Sequence, residues 1–578
     1  MNENTYFALT IGPIYKTMAM ARKTRELWAA SYFFSYLMEQ LVTSPDLEGE
    51  LVLPARSAIK NSKAGLYPDH LIVKNCSYSS AKELFDNTFN DIIEKLPGTA
   101  SAGRTTFFED YFQLYALEIA LPDTDDPIKT ILPLLDSMEQ KAAYVPVFAT
   151  NYLKDVFENI GDWEKYREVF GKENRFPSVL EISSGNLKRL SPLYVPELIK
   201  DFEPKKEVFN RIFDFCLYYE GQEKNNVLVK DSTAISLLKE AYNPVKLTGK
   251  EDDQFRFYHK YMAIVQADGD NLSRALHAFY CLGGIAAVQE FSGVLMGFGK
   301  DAMELIGNEG GTPIYLGGDD LLFFAPVIGN TGTIFHLVRD LEKLFGEKIN
   351  GAENLTRLRS DWNDSITKEN KRERVDLSIS FGISIGYHKF PLMESLETAR
   401  ELLFEEAKML PGKNAVSFRL LKHSGQYFGV TWNKKWRSYD TCFFELMDTV
   451  GSELKFITSV QHKLETLRPA LCRILVGRHI DPTQAGFKEN FAIMGIDDRR
   501  DSFMKHLREN FFNELVHKND GTDTFLKLAF AYLLQLYRDM EDVYGNSNQT
   551  ADEAINSLYA ALRFIQFINQ PDHNDEEE

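Results

Sequence analysis

The chain has 578 residues, more than one hydrophobic core supports, so two to four domains are expected. Asp and Glu number 84 against 65 Lys and Arg, a formal charge of −19 at pH 7, the reverse of the balance in a free-standing nucleic-acid binder. Cys76, Cys216, Cys281, Cys442 and Cys472 are scattered without a CxxC pair, which argues against a disulfide framework and against a zinc ribbon made of cysteines.

In chain order, TYFALTIG at 5–12 reads as a buried strand ended by Gly12-Pro13. Residues 14–42 follow a helical pattern with a break near Trp28–Ser31. Extended runs at 51–53, 71–73 and 111–121 alternate with helical patterns at 80–95 and 127–143, so 1–145 reads as an α/β or α+β domain. Residues 146–255 are mixed and read as a small linking domain.

At Tyr261 a second strand–helix alternation begins, placed at 256–426. YMAIVQA is a strand, residues 272–306 are helical, and PIYL and LLFFAPV flank a tight turn as a hairpin. A helix at 333–346 leads to NLTRLRSDWNDSITKENKRER, which reads as a charged, mobile segment. LSISFGISIGY alternates with period two, as a half-buried strand does. A helix at 394–409 and the strand AVSFRLL close the unit near Gly425. The remainder, 427–578, reads as a helical domain, for example at 501–516 and 524–544, with the acidic tail DHNDEEE. The two strand–helix units are compatible with a diverged duplication, without a sequence repeat that proves it. MNENTYFALTIG lacks the regions of a signal peptide, and runs such as LAFAYLL at 528–534 are too short for a bilayer; a cytoplasmic protein is expected.

The chemistry concentrates in TPIYLGGDDLLFFAPV. Gly317 and Gly318 permit a turn with positive backbone angles and push Asp319 and Asp320 to the tip of a buried hairpin. Adjacent carboxylates repel, so a cation is expected to neutralise them, and Mg²⁺ (or Mn²⁺) favours such oxygens together with substrate phosphates. In IVQADGDNL, Asp268 lies just past a strand end, where ligands gather, and Asp270 or Asn271 caps the helix that follows. If the hairpin pairs beside this strand, Asp268, Asp319 and Asp320 converge into a two-metal site for in-line phosphoryl transfer. One ion would activate an attacking ribose hydroxyl, the other the leaving pyrophosphate. The bland alternative is a hairpin turn and a helix cap. GFGKD at 297–301 departs from a P-loop and belongs within or at the end of a helix; HExxH and a His-Asp dipeptide are absent from the sequence.

Several segments together resemble the large, polymerase-like subunit of type III-B (Cmr) CRISPR–Cas effector complexes: IGPIYKTMAMARKTRELWAASYFFSYL, YMAIVQADGDNL, YLGGDDLLFF, SISFGISIGYHKFPL, ARELLFEEAK and LLKHSGQ. The resemblance spans about 6–37 and 260–426 and implies an α+β multidomain protein. Its parts would be two ferredoxin-like palm domains of the nucleotide-cyclase type, a small linking domain and a helical C-terminal domain. It implies partner subunits, CRISPR RNA and target RNA reached through the complex, and ATP polymerised at the second palm into a signalling nucleotide. Asp268, Asp319 and Asp320 would carry the metals, with Gly269, Gly317 and Gly318 about the nucleotide. Lys408, Ser424 and Gly425 are further candidates for holding phosphates. The chain departs from the family in starting directly with the first palm, without a histidine-aspartate nuclease domain, and in lacking the middle-domain cysteines, so no zinc and no membrane partner are expected.

GLYPDHLIV carries Pro68-Asp69 where many relatives have Pro-Asn. Some systems of this family join ATP to S-adenosylmethionine, and Asp69 could hold a ribose hydroxyl, amino group or sulfonium of that second substrate. The product is then cyclic oligoadenylate or adenylated S-adenosylmethionine; the plain alternative for Asp69 is a turn cap. A catalytically inert scaffold subunit and a stand-alone cyclase with a GGDEF-like hairpin are the other readings. Arg22, Lys23 and Arg25 either contact phosphates or a partner or form a solvated basic face.

Overall fold

The computed structural model describes residues 3–56, 62–101, 103–140, 151–170, 176–177, 179–183, 185, 256–367, 372–449, 454–476 and 520–570. They group into two compact units. The helix expected at 501–516, Cys216 and nearly all of 186–255 lie outside the described residues.

The first unit takes in 1–186, 262–381 and 388–400 and holds two copies of one βαββαβ pattern. In the first copy, β1 (Glu3–Gly12) is followed by α1 (Ile14–Ala19) and α2 (Thr24–Thr43), then β2 (Glu50–Leu53) and β3 (His70–Lys74). α3 (Tyr78–Lys95) and α4 (Arg104–Tyr111) lead to β4 (Gln113–Pro122), and α5 (Pro127–Glu139) follows. The strands lie in the order β2-β3-β1-β4, with every pairing antiparallel. In the second copy, β5 (Tyr261–Asp270), a helix at Leu272–Asn308, and β6 (Thr312–Gly317) and β7 (Asp320–Pro326) come first. Helices Ile334–Gly351 and Glu353–Asp364 then precede β8 (Ser378–Tyr387). The order β8-β5-β7-β6 repeats the fourth–first–third–second arrangement of the first copy, the ferredoxin-like topology.

The alternation read from the sequence explains these sheets. β1 buries Tyr6, Phe7, Ala8 and Leu9, because one face meets α2 and the other meets α5 and the long helix. α2 is buried along most of its length; Trp28 is fully enclosed, stacks on Tyr32 at 4.4 Å, and donates from Nε1 to the Lys63 carbonyl at 2.8 Å. One apolar cluster runs from Phe7 and Trp28 to Met262, Ile314 and Phe324, so both copies share a core.

Three local expectations are corrected. The break in the first helical stretch falls at Met20–Lys23, not near Trp28–Ser31, where large buried side chains keep α2 continuous. The charged segment after the 334–351 helix is itself a helix over Glu353–Asp364, because Leu355, Leu358 and Trp362 give it a buried face; only 368–371 of that stretch lie outside the described residues. Residues 427–433 are a strand, β10 (Tyr427–Asn433), paired antiparallel with β9 (Ala415–Leu421), before the helices begin.

GFGKD lies inside the Leu272–Asn308 helix. That helix breaks at Gly284 (φ +63°, ψ −158°) and packs on β6, β2 and α5. Its length and hydropathy would also suit a bilayer span, a helix the short apolar runs did not disclose.

The second unit takes in 187–261, 382–387 and 401–578. Its described parts include the β9–β10 hairpin and helices Leu454–Val476, Asp520–Tyr544 and Asn548–Asn569. Trp432, Tyr439, Phe443 and Tyr532 form its aromatic centre, and the Trp432 Nε1 donates to the Tyr532 hydroxyl at 3.0 Å.

Candidate functional site

The GGDD turn is built by register. β6 and β7 pair as far as Gly317 opposite Asp320, leaving Gly318 and Asp319 as a two-residue turn. Gly318 has φ +84° and Asp319 a negative φ, the combination of a type II′ hairpin, which only glycine adopts without strain. On the other side of β7, β5 pairs antiparallel from Met262 opposite Pro326 to Ala267 opposite Leu321. The next step of that register sets Asp268 against Asp320. Asp319 approaches from the turn: a Cβ added at Gly269 would lie 2.9 Å from the Asp319 Cβ and 3.1 Å from its Oδ2. The sequence-predicted Asp268, Gly269, Gly317, Gly318, Asp319 and Asp320 therefore come together, and all three carboxylates are partly exposed. Asp268 lies inside β5, which runs on through Asp270, and not past the strand end as expected; with Asp319 in the turn and Asp320 opening β7, three oxygen-bearing side chains of like charge suit a hard divalent cation.

Asp270, two residues along β5, behaves otherwise. It is fully buried, and its carboxylate accepts from the Ser378 hydroxyl at 2.7 Å and the Ser380 hydroxyl at 2.9 Å. The expected side-chain cap does not form. Asn271 holds the N-cap position in the left-handed region (φ +64°), and its Nδ2 donates to the Asp376 carbonyl at 2.9 Å. Asp270 thus ties the floor of the site to β8. The alternation in SISFGIS puts Ser378 and Ser380 on one face, but their acidic partner lies more than a hundred residues away and leaves no local signal.

Asp69 belongs to the first copy. The segment before it docks on β6: the Leu316 N–H donates to the Gly65 carbonyl at 2.8 Å, Gly65 and Tyr315 form a parallel bridge, and the Tyr315 hydroxyl donates to the Tyr67 carbonyl at 3.4 Å. Burial and then the charges of Asp69, Asp320 and Asp319 push the Tyr315 phenol far above its ordinary range. His70 sits beside Asp69, its Nδ1 2.9 Å from Oδ1. Burial pushes the Asp69 carboxyl up, but His70 outweighs it and holds it below the usual range. Burial pulls the His70 imidazole down, and Asp69, Glu139 and Asp136 together raise it to about 9. Asp69 is singled out by the sequence, whereas Tyr315, His70 and Glu139 are not, since their contacts arise from strand pairing and a distant helix end.

The remaining sequence candidates belong to the second unit. Lys408 follows a π-helical turn at Leu402–Ala407, with its Nζ 5.9 Å from the Phe404 ring centre. Ser424 and Gly425 form the β9–β10 turn, where Gly425 has φ +83° and its N–H donates to the Lys422 carbonyl at 2.9 Å. In the first unit, Lys23 occupies the N-cap of α2, the Arg22 N–H donates to Glu26 at 2.8 Å, and the Arg25 guanidinium reaches the Glu158 carbonyl at 3.4 Å.

Comparison with known proteins agrees with this geometry. Residues 261–417 match the family model of the Cas10/Cmr2 second palm domain, and residues 6–47 match that of the CRISPR-associated protein Cmr2 N-terminal region. The CRISPR system Cmr subunit Cmr2 of Pyrococcus furiosus is 25% identical over 296 residues. That alignment covers 45% of this chain and 31% of the relative. Among solved structures, the apo type III-B Cmr-beta complex contains a chain with 11% identity and a TM-score of 0.46, covering 81% of this chain and 75% of that one. The Csm1–Csm4 cassette in complex with cA4 gives 14% identity, a TM-score of 0.42, and 91% and 70% coverage. The Cmr2 N-terminal segment and the Cas10/Cmr2 second palm are thus matched in order, the second around a carboxylate-lined hairpin, and the chain spans about a third of the length of the Cmr2 relative it matches.

Proposed function

We propose that the chain is a subunit of an RNA-guided type III-B antiviral effector complex and that its second palm is a target-RNA-activated nucleotidyltransferase using ATP. The observation that carries this reading is the register of β5 and β7, which pairs Ala267 with Leu321, the residues adjoining Asp268 and Asp320, while Asp319 abuts Gly269. Asp268, Asp319 and Asp320 are the residues that would hold Mg²⁺ (or Mn²⁺). Bound there, the ion would supply charge neutralisation and orientation of the transferring phosphates. The chain's own part is to keep three mutually repelling carboxylates in place. The type II′ turn fixes Asp319, the β5–β7 ladder fixes Asp268 and Asp320, and Asp270 anchors the strand end through Ser378 and Ser380.

For the product, Asp69 follows two residues after Tyr67, whose carbonyl accepts from the Tyr315 hydroxyl on β6, and a carboxylate carried there favours a second substrate bearing a hydroxyl or a positive charge. Adenylated S-adenosylmethionine is therefore a reading alongside cyclic oligoadenylate. The deciding experiment supplies the assembled complex with target RNA, Mg²⁺ and ATP, with and without S-adenosylmethionine, and identifies products by mass spectrometry. Product lost on Asp319→Ala/Asp320→Ala with target RNA still bound is the expected result. Undiminished product in that variant removes the assignment, and no product from the wild-type chain leaves an inert scaffold.

A further inference from the structure

His70 stands where three carboxylates of the first βαββαβ copy meet. Its Nδ1 faces Asp69 at 2.9 Å, and its Nε2 lies 3.5 Å from Glu139 Oε1 and 3.8 Å from Asp136 Oδ1. Nδ1 is within hydrogen-bond distance of Asp69, while the buried Nε2 makes no hydrogen bond and has only the charges of Glu139 and Asp136 near it. Two elements impose this arrangement. The β1–β3 register places Thr10 directly opposite His70, and the Thr10 hydroxyl donates to Glu139. Glu139 is the last residue of α5, and Asp136, three residues earlier, lies on the same side of the helix.

The carboxylate gripped by His70 is also the one that the docked segment carries toward β6. Gly65 and Tyr67 bond to Leu316 and Tyr315, the two residues that lead directly into the GGDD turn. One imidazolium among three carboxylates leaves this corner with surplus negative charge. A second triphosphate is repelled there and a cation attracted. That discrimination requires the Asp69 side chain to stay in one orientation, because a carboxylate free to change rotamer spreads its charge and loses its hydrogen-bond geometry.

We propose that His70, through its Nδ1 contact, is a positioning residue that holds the Asp69 carboxylate beside the reaction centre, so that the acceptor subsite takes a cationic acceptor in preference to a second triphosphate. The proposal rests on Asp268, Asp319 and Asp320 being that reaction centre.

Two conservative variants separate the contacts. His70→Asn keeps a donor at the place of Nδ1 and loses the reach to Glu139; His70→Gln keeps a polar end near Glu139 and loses the Nδ1 donor. Both are assayed in the assembled complex with target RNA, Mg²⁺, ATP and S-adenosylmethionine. S-adenosylhomocysteine, the uncharged thioether, serves as competitor. The expected result for His70→Gln is a KM for S-adenosylmethionine raised about tenfold, the worth of one charge-assisted hydrogen bond, with kcat changed much less. The preference over S-adenosylhomocysteine should shrink in parallel, and His70→Asn should recover most of both. Unchanged KM and unchanged preference in His70→Gln overturn the proposal, as does a wild-type complex that consumes ATP and ignores S-adenosylmethionine. An equal loss in every kinetic constant together with a lowered Tm also overturns it, since that marks a purely structural histidine. Product that survives Asp319→Ala/Asp320→Ala instead brings down the underlying reading of the site, which is a separate result.

Discussion

Replacing Gly269 by alanine probes the site without touching a carboxylate. The added Cβ would fall 2.0 Å from Leu272 Cδ1, 2.9 Å from Asp319 Cβ and 3.1 Å from Asp319 Oδ2. Leu272 contributes the end of a flexible side chain and can rotate away. The Asp319 Cβ belongs to a two-residue turn held between paired strands, so relief must come from moving the turn or the β5 end. Overpacking of this kind costs about 1–3 kcal/mol, which at ~2–4 °C per kcal/mol lowers Tm by several degrees. The larger effect is on chemistry, because displacing a reacting group by ~1 Å lowers rate about 10²-fold. Gly297→Ala is the matched control: it lies in the Leu272–Asn308 helix with nothing within 4 Å of an added Cβ. That change should stabilise the helix by up to ~1 kcal/mol and leave product formation alone. The assay is product formed per minute by the assembled complex, alongside a thermal melt of each variant. Full activity in Gly269→Ala would refute the argument, showing that Asp319 is not held against Gly269 or takes no part in the chemistry.

Two further outcomes are expected. Asp270→Ala removes a buried carboxylate that accepts from Ser378 and Ser380, and should lower stability by about 3 kcal/mol, more than Asp270→Asn; a melt that matches wild type contradicts the anchoring role. The raised pKa of His70, about 9, means that its pairing stabilises the fold fully below the ordinary histidine value near 6.5 and loses that contribution as pH rises through 9. The Tm gap between wild type and His70→Gln should therefore be widest near pH 6 and close above about pH 9; a gap independent of pH excludes the charged pairing.

What the sequence disclosed and what it hid follow from the range of the interactions. GGDD between two apolar runs is local information, since turn geometry and strand alternation are written within sixteen residues, and the structure returns the hairpin and its neighbour Asp268 where expected. The strand order was accessible only as a pattern of alternation; the shared fourth–first–third–second arrangement emerges from pairing. Asp270 illustrates the limit. Its position before a helix suggests a cap, yet a buried site opposite two serines of β8 outcompetes the local bond. β10 was concealed for another reason. Tyr427–Asn433 is a short run next to a helical region, and its pairing with β9 outweighs a weak local preference. Asp69 was visible as an unusual residue after Pro68, while His70, Glu139 and Thr10 gain meaning only when β1, β3 and the end of α5 are assembled.

The short backbone contact between Leu316 and Gly65 carries a last implication. β6 is an edge strand, and edge strands ordinarily leave their outer amides open to any passing chain. Here that edge is partly occupied by the first copy, one residue before Gly317 begins the GGDD turn. Prising the two copies apart would therefore pull on peptide backbone next to the hairpin tip before it disturbed any carboxylate. In mechanical terms the turn is a tool held in two hands, and loosening the grip of the first copy blunts it even though every residue of the second is intact.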